Sequence, residues 1–112
     1  MTMMKGGELI ADFLIEEEIP YIFGICGHGN VGLLDALYDR NDKIKLVSPR
    51  HEQVAGHMAD AYFRVKHEPT ATLTSCGPGS ANLVMALADW APDEALRHRI
   101  LVDNPRTLYG AF

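Results

Sequence analysis

Between Glu8 and Glu17 the apolar residues Leu9, Ile10, Phe13 and Leu14 recur at helical spacing with carboxylates mostly opposite, predicting an amphipathic helix that Pro20 closes. Glu16, Glu17 and Glu18 fall near its C-terminal end, where the helix dipole disfavours negative charge, so a solvated surface is expected there rather than a metal site. Tyr21-Ile-Phe-Gly-Ile25 then takes on the β-branched and aromatic density of a short buried strand. Helical spacing returns from Val31 to Tyr38, with Leu33, Leu34, Leu37 and Tyr38 as the inward stripe and Asn30 placed to cap the start. Beyond the polar turn from Arg40 to Lys43, Ile44-Lys-Leu-Val47 reads as a second strand stopped by Pro49. Val54, Met58, Ala61, Tyr62 and Val65 mark a third helix from near His51 to about Val65. Thr70-Ala-Thr-Leu-Thr74 is the third strand, set between Pro69 and a Gly77-Pro78-Gly79 turn. A helix from about Ser80 to Trp90 follows, with Leu83, Val84, Leu87 and Ala88 available for packing.

Helices alternating with short strands imply parallel pairing, because successive parallel strands need helical crossovers. The expected architecture is α/β: an incomplete three-layer fold with a parallel sheet of about three strands flanked by helices, and a helical tail at the C-terminus. Such a sheet leaves at least one edge open, so the chain is expected to pair with another copy or another chain. The 112 residues suit one small domain and exclude a second full one. With 47% hydrophobic and 22% charged residues, wholesale disorder is a poor description. A formal net charge of -5 and dispersed basic residues argue against a nucleic-acid partner. No stretch approaches the roughly 20 apolar residues of a membrane span, and the N-terminus lacks the apolar core of a secretion signal, so a cytoplasmic location is expected. Cys26 and Cys76 have no Cys-x-x-Cys spacing, which favours reduced thiols over a structural disulfide.

Candidate chemistry gathers at the strand-to-helix junctions, the places where a parallel α/β fold meets ligands. Gly24, Gly27, Gly29 and Gly32 cluster after the first strand with His28 and Asn30 among them. Their spacing departs from a dinucleotide fingerprint and no Gly-Lys-Ser/Thr follows, so a phosphate-binding loop is disfavoured. His28 stands open between ligand contact and turn residue. Glu52 lies in the first turn of the third helix, where a carboxylate complements unpaired amides for local reasons as readily as for chemical ones. His51 and His57 are six residues apart, on different helical faces, and make no metal pair.

Four stretches together carry a resemblance. They are Gly6-Gly-Glu-Leu-Ile10, Ile22-Phe-Gly-Ile-Cys-Gly-His-Gly-Asn30, Ser48-Pro-Arg-His-Glu-Gln-Val-Ala-Gly-His-Met-Ala-Asp-Ala-Tyr62 and Thr72-Leu-Thr-Ser-Cys-Gly-Pro-Gly-Ser-Ala-Asn82. Through them residues 5 to 90 resemble the first part of the pyrimidine-binding N-terminal domain of thiamine-diphosphate-dependent enzymes of the acetolactate synthase type. The second stretch is similar to the form found in the branch that cleaves cyclic diketones in inositol breakdown, and less closely to ordinary acetolactate synthases; both branches stay open. The resemblance implies thiamine diphosphate as cofactor. Glu52 would be the catalytic carboxyl group that hydrogen-bonds a ring nitrogen of the aminopyrimidine and relays a proton. It implies further that Gly77, Pro78, Gly79 and Asn82 form the turn facing the cofactor or the opposite subunit, and that Gly27, His28, Gly29 and Asn30 form a loop on the substrate side. A plainer role for these residues, as turn formers and caps, is open beside it.

Enzymes of that family exceed this chain in length and hold the diphosphate and its magnesium in a separate domain with a Gly-Asp-Gly motif, which does not occur here. Residues 1–90 are therefore expected to be a partial pyrimidine-binding domain, truncated before its remaining strands, with magnesium reached only through a partner chain or domain. Residues 91–112 resemble instead the C-terminus of a metal-dependent amidohydrolase and are expected to be a helical tail of separate origin. Pro92 suits the first helical position, Asp93 and Glu94 the first turn, and Arg97, His98 and Arg99 the far end. Asn104-Pro105 repeats the start signal, and Leu108-Tyr109 is expected to dock on the open core. Three functions follow: a cofactor-binding module of a carbon–carbon lyase or ligase that is inactive alone, a non-catalytic α/β interaction module, or a peripheral segment of an amidohydrolase-like assembly.

Overall fold

Tyr21–Gly24 (β1) occupies the centre of the sheet, with Lys45–Val47 (β2) on one side and Ala71–Leu73 (β3) on the other, both parallel to it. The structure is a computed structural model, and it describes residues 3–90, 93–103 and 107. Around the strands lie the helices Gly6–Glu16 (α1), Val31–Tyr38 (α2), Glu52–Lys66 (α3), Pro78–Trp90 (α4) and Glu94–His98 (α5), with a 3₁₀ turn at His28–Asn30 and a π-helical turn at Arg99–Asp103. The register sets Ile22 opposite Leu46 and Ala71, and Phe23 opposite Val47 and Thr72. None of the described helices is long and apolar enough to cross a membrane.

Alternation along β1 divides the core in two. Ile22 faces α1 and α2, where it meets Ala11, Ile19, Ala36, Leu37 and Ile44, with Ala71 and Leu73 of β3 at the margin. On the opposite face Tyr21 and Phe23 meet Ala55, Ala59, Met58 and Tyr62 of α3. The Tyr21 and Tyr62 rings pack edge to face at 5.4 Å, a favoured arrangement for aromatic quadrupoles. This is the three-layer α/β arrangement expected from the order of elements, with α4 lying against α3. On the first face Arg40, which follows α2, grips the Asp12 carboxylate of α1 with two guanidinium nitrogens and donates a third bond to Ala36 C=O at 3.0 Å.

The inward faces differ in part from those expected. In α1, Leu9, Ile10 and Phe13 are exposed while Ala11 is buried and Leu14 and Ile15 are half-buried. Tyr38 of α2 is 76% exposed, and Ala36 takes the place expected for it. In α3 the exposed residues include Val54 and Val65, whereas Ala55, Gly56 and Ala59 are buried. Val84 of α4 is exposed and Ala86 is fully buried. Leu37 of α2 and Met58 and Tyr62 of α3 pack inward as expected, but the closest contacts in the helices are made by small residues, which leaves the other bulky ones outside.

Helix ends differ as well. Asn30 precedes α2, yet its side chain does not cap it; the amide accepts from Gly27 N–H at 2.8 Å and donates to Ile25 C=O at 3.2 Å, closing the β1–α2 loop on itself. His51 is the cap of α3, with Nδ1 accepting from Gln53 N–H at 3.2 Å. The expected Gly77-Pro78-Gly79 turn is in large part helix, since α4 begins at Pro78. Proline suits that first position because its missing N–H would have no helical partner. Asp93 caps α5 by accepting from Ala95 N–H at 2.8 Å. The expectations for Pro92, Asn104-Pro105 and Leu108-Tyr109 lie outside the described residues.

Candidate functional site

Parallel strands bring three helix starts to one edge of the sheet, and the residues singled out in the sequence lie at these junctions. Glu52 follows β2 as the first residue of α3, half-buried. Its Oε2 accepts from Asn82 Nδ2 at 3.0 Å, a bond between residues thirty positions apart and the contact that ties the start of α3 to α4. Gly79, buried one turn earlier in α4, forms the floor beneath the carboxylate: a Cβ there would stand 3.0 Å from Glu52 Oε1 and 3.4 Å from Ser75 Cβ. A side chain at that position would push the carboxylate away by a few tenths of an ångström, so the glycine lets it sit close. Gly77, exposed at φ 70°, takes the left-handed conformation that lets the chain leave β3 and enter α4.

The second group is the loop after β1. Asn30 is buried and holds Gly27 through its amide, while His28 and Gly29 are exposed. Gly27 packs directly on Ser75, so a Cβ at Gly27 would collide with the serine side chain. Ser75 therefore touches both groups, Gly27 on one side and the Gly79 position on the other, and its carbonyl accepts from Ser80 Oγ at 2.8 Å. The sequence places it in the Thr72–Asn82 stretch but singles it out for no role. The available signal was a small hydroxyl residue immediately ahead of Cys-Gly-Pro-Gly, at the end of a strand. Glu52, Gly79 and Asn82 are thus in mutual contact, and Gly27 and Asn30 join them through Ser75; His28 and Pro78 lie at the exposed rim.

The Asn82 amide, then the backbone N–H at Glu52 itself, and last the neighbouring His51 hold the Glu52 carboxyl below its ordinary value of 4.5, against the opposing effect of desolvation. Arg40 does the same for Asp12, chiefly by hydrogen bonding, from an ordinary value of 3.8. Both groups bind a proton more readily in the unfolded chain, so acid favours unfolding. Their stabilisation is complete above the unfolded values and is lost as pH falls through the lower folded ones. Acid titration followed by circular dichroism is expected to show stability declining below about pH 4.5, less steeply in Glu52→Gln and Asp12→Asn than in the parent chain. Equal slopes in all three would contradict the assigned contacts.

As it stands, the arrangement offers an ionised carboxylate with one oxygen engaged by Asn82, above a floor without side chains and beside a glycine-rich rim. It can accept a hydrogen bond from a planar heterocycle, and a ligand covering it would raise its proton affinity by excluding water. Among the described residues no three His, Cys, Asp or Glu side chains gather in a way that would hold a metal ion.

Comparison with known proteins bears on this geometry. The family model described as thiamine pyrophosphate enzyme, N-terminal TPP binding domain, matches residues 4–95. The mitochondrial acetolactate synthase of Schizosaccharomyces pombe is 38% identical over 88 residues, which is 79% of this chain and 13% of that protein. The acetolactate synthase of Bacillus subtilis is 39% identical over 83 residues, 74% of this chain and 14% of its own. The probable acetolactate synthase large subunit of Methanocaldococcus jannaschii is 40% identical over 107 residues, 96% of this chain and 18% of its own. The chain thus spans less than a fifth of each of these relatives. The amidohydrolase resemblance of residues 91–112 finds no support in these comparisons, and the 107-residue match takes in most of that segment as well.

Proposed function

Because this chain belongs to the thiamine pyrophosphate enzyme family, through its N-terminal TPP-binding domain, we propose that it binds the aminopyrimidine end of thiamine diphosphate at the Glu52–Asn82–Gly79 site. In this reading it is a module of an acetolactate synthase-like carbon–carbon lyase or ligase and is not catalytic alone. The observation that carries the reading is the half-buried Glu52 carboxylate, held by Asn82 close above Gly79. When bound, thiamine diphosphate supplies a thiazolium carbon whose deprotonation gives the nucleophile for a carbonyl substrate.

The chain's own residues have simpler tasks. Glu52 takes up a proton once the ring excludes water from it, donates a hydrogen bond to the ring nitrogen, and releases that proton again. Asn82 orients the carboxyl group by occupying Oε2. Gly77 and Pro78 set the start of α4 so that Gly79 and Asn82 face Glu52. Gly27, His28, Gly29 and Asn30 form the rim toward the substrate. Diphosphate and magnesium belong, in this reading, to a partner chain or a further domain, which matches the small share of the relatives that this chain spans.

Calorimetric titration with magnesium and thiamine diphosphate tests the proposal. The chain alone is expected to give no saturable isotherm, and the chain assembled with a diphosphate-binding partner a one-site isotherm. A saturable one-site isotherm from the chain alone would overturn the division of labour, and no binding by the assembly would overturn the cofactor assignment.

A second reading, a non-catalytic interaction module, draws on the exposed row Leu9, Ile10 and Phe13 of α1, an apolar face that suits contact with another protein surface. It is favoured over the first if the assembly forms but binds no cofactor.

A further inference from the structure

A helix start leaves its first amides without helical partners, and in α3 it is His51 that takes up most of them. Val54 N–H and Ala55 N–H both donate to His51 C=O, at 3.1 and 3.3 Å, while Gln53 N–H donates to His51 Nδ1 at 3.2 Å. Glu52 N–H, the remaining amide of the turn, serves the carboxyl group of its own side chain. Asn82 Nδ2 already occupies Oε2 of that group at 3.0 Å. Oε1 lies toward Gly79, whose Cβ position is 3.0 Å away, and is the oxygen left for a ligand. The cap requires a bare Nδ1, so the neutral ring carries its proton on Nε2. Without the imidazole, Gln53 N–H would be an unpaired donor one residue from the Glu52 carboxylate. An ionised carboxylate gains from each amide it accepts, whereas a heterocycle nitrogen that is to receive a hydrogen bond needs the protonated form. The two demands compete for one oxygen.

We propose that His51 is a positioning residue for Glu52: by holding the Gln53 amide at Nδ1, its imidazole keeps that donor off the carboxylate and leaves Oε1 free to meet a ligand. Asn82 and His51 divide the work. One engages Oε2 from α4, and the other, from the cap of α3, clears the approach to Oε1 while its carbonyl fixes the turn that carries the side chain. His51 is itself exposed and acts through the Gln53 amide, without touching the reacting atoms. The consequence for thiamine diphosphate rests on the function proposed above, whereas the competition for the amide does not.

Carbon NMR of the Glu52 carboxyl group in the full chain, titrated through the acid range, compares His51→Asn with His51→Ala. Asparagine caps helix starts well and alanine poorly, and neither side chain titrates, so the pair isolates the fate of the amide. Glu52 is expected to take up its proton at lower pH in His51→Ala than in His51→Asn. Coincident titrations would overturn the proposal. Nitrogen NMR of the parent imidazole at neutral pH gives a second reading that needs no variant: Nδ1 should show the signal of a bare, hydrogen-bonded nitrogen, and a protonated Nδ1 would contradict the cap. In the partner assembly, calorimetry should find His51→Ala binding thiamine diphosphate roughly threefold more weakly than the parent, with His51→Asn restored to the parent value. Equal loss in both variants would point to direct contact by the imidazole and refute positioning, as would undiminished binding in His51→Ala. Absence of binding by the parent assembly would refute the cofactor site and leave the comparison of titrations standing.

Discussion

Replacing Glu52 by glutamine is expected to weaken thiamine diphosphate binding by the partner assembly only about two- to tenfold, the ~0.5–1.5 kcal/mol of a neutral hydrogen bond made less well. Turnover should fall further, by about 10² to 10⁴, the range associated with a positioned proton-transfer group. The fold should hardly notice. Glutamine keeps the length of the side chain and an oxygen that can accept from Asn82, so the contact between α3 and α4 survives in neutral form. Glutamine can hold a hydrogen bond to a ring nitrogen, but it cannot take up and release a proton, and that separates the two effects. Titration and steady-state rates across pH are the readouts: the parent should show a rate dependence reporting the carboxyl group, and the variant should lose that limb. Unchanged turnover in a folded Glu52→Gln assembly would remove the residue from the chemistry. A fall in thermal midpoint as large as the fall in affinity would make its role structural.

Substituting valine for Gly56 is expected to destabilise the fold by about 2–3 kcal/mol through overpacking, roughly 10–20 °C in Tm for a chain of this size. Gly56 is buried in α3, and a Cβ there would lie 2.5 Å from Ala86 Cβ and 2.8 Å from Leu83 Cδ1 of α4, with Trp90 at 3.3 Å. The helices approach at this point because neither has bulk to separate them. Helix propensity alone argues the other way, since glycine inside a helix costs about 1 kcal/mol relative to alanine. Gly56→Ala is therefore the sharper comparison: propensity predicts a gain, packing a net loss. Thermal unfolding followed by circular dichroism decides between them. A valine variant melting at or above the parent would show that α3 and α4 can part without cost. Because α4 carries Gly79 and Asn82, parting the helices should also loosen the Glu52 contact.

The order of elements was legible in the sequence because its punctuation is local. Pro20, Pro49 and Gly77 lie between periodic segments, and each acts through backbone conformation that no distant residue overrides. Parallel pairing followed from the alternation of helix and strand. The inward faces were not legible, because periodicity weighted by side-chain size selects Phe13, Val54 and Val65, while close helix packing selects Ala11, Gly56 and Ala86. Site residues were legible as types and positions, since Glu52 and Asn82 stand out individually. Their contact was not: it depends on how α3 and α4 cross, a long-range property with no signature in spacing. Asn30 illustrates the same division. An asparagine before a helix is a reasonable cap, but two partners in its own loop compete for the amide and win.

The central position of β1 has a consequence for how the chain is made. Through Val47, synthesis has supplied α1, α2 and two strands, enough to cover Ile22 but nothing for the reverse side of the ribbon. Tyr21 and Phe23 wait for Ala55, Ala59 and Tyr62, which are translated later. The nascent half therefore presents an aromatic strip to its surroundings for the seconds that elongation takes at about 5–20 residues per second. That interval is where a trigger-type chaperone, or premature aggregation, would find its foothold.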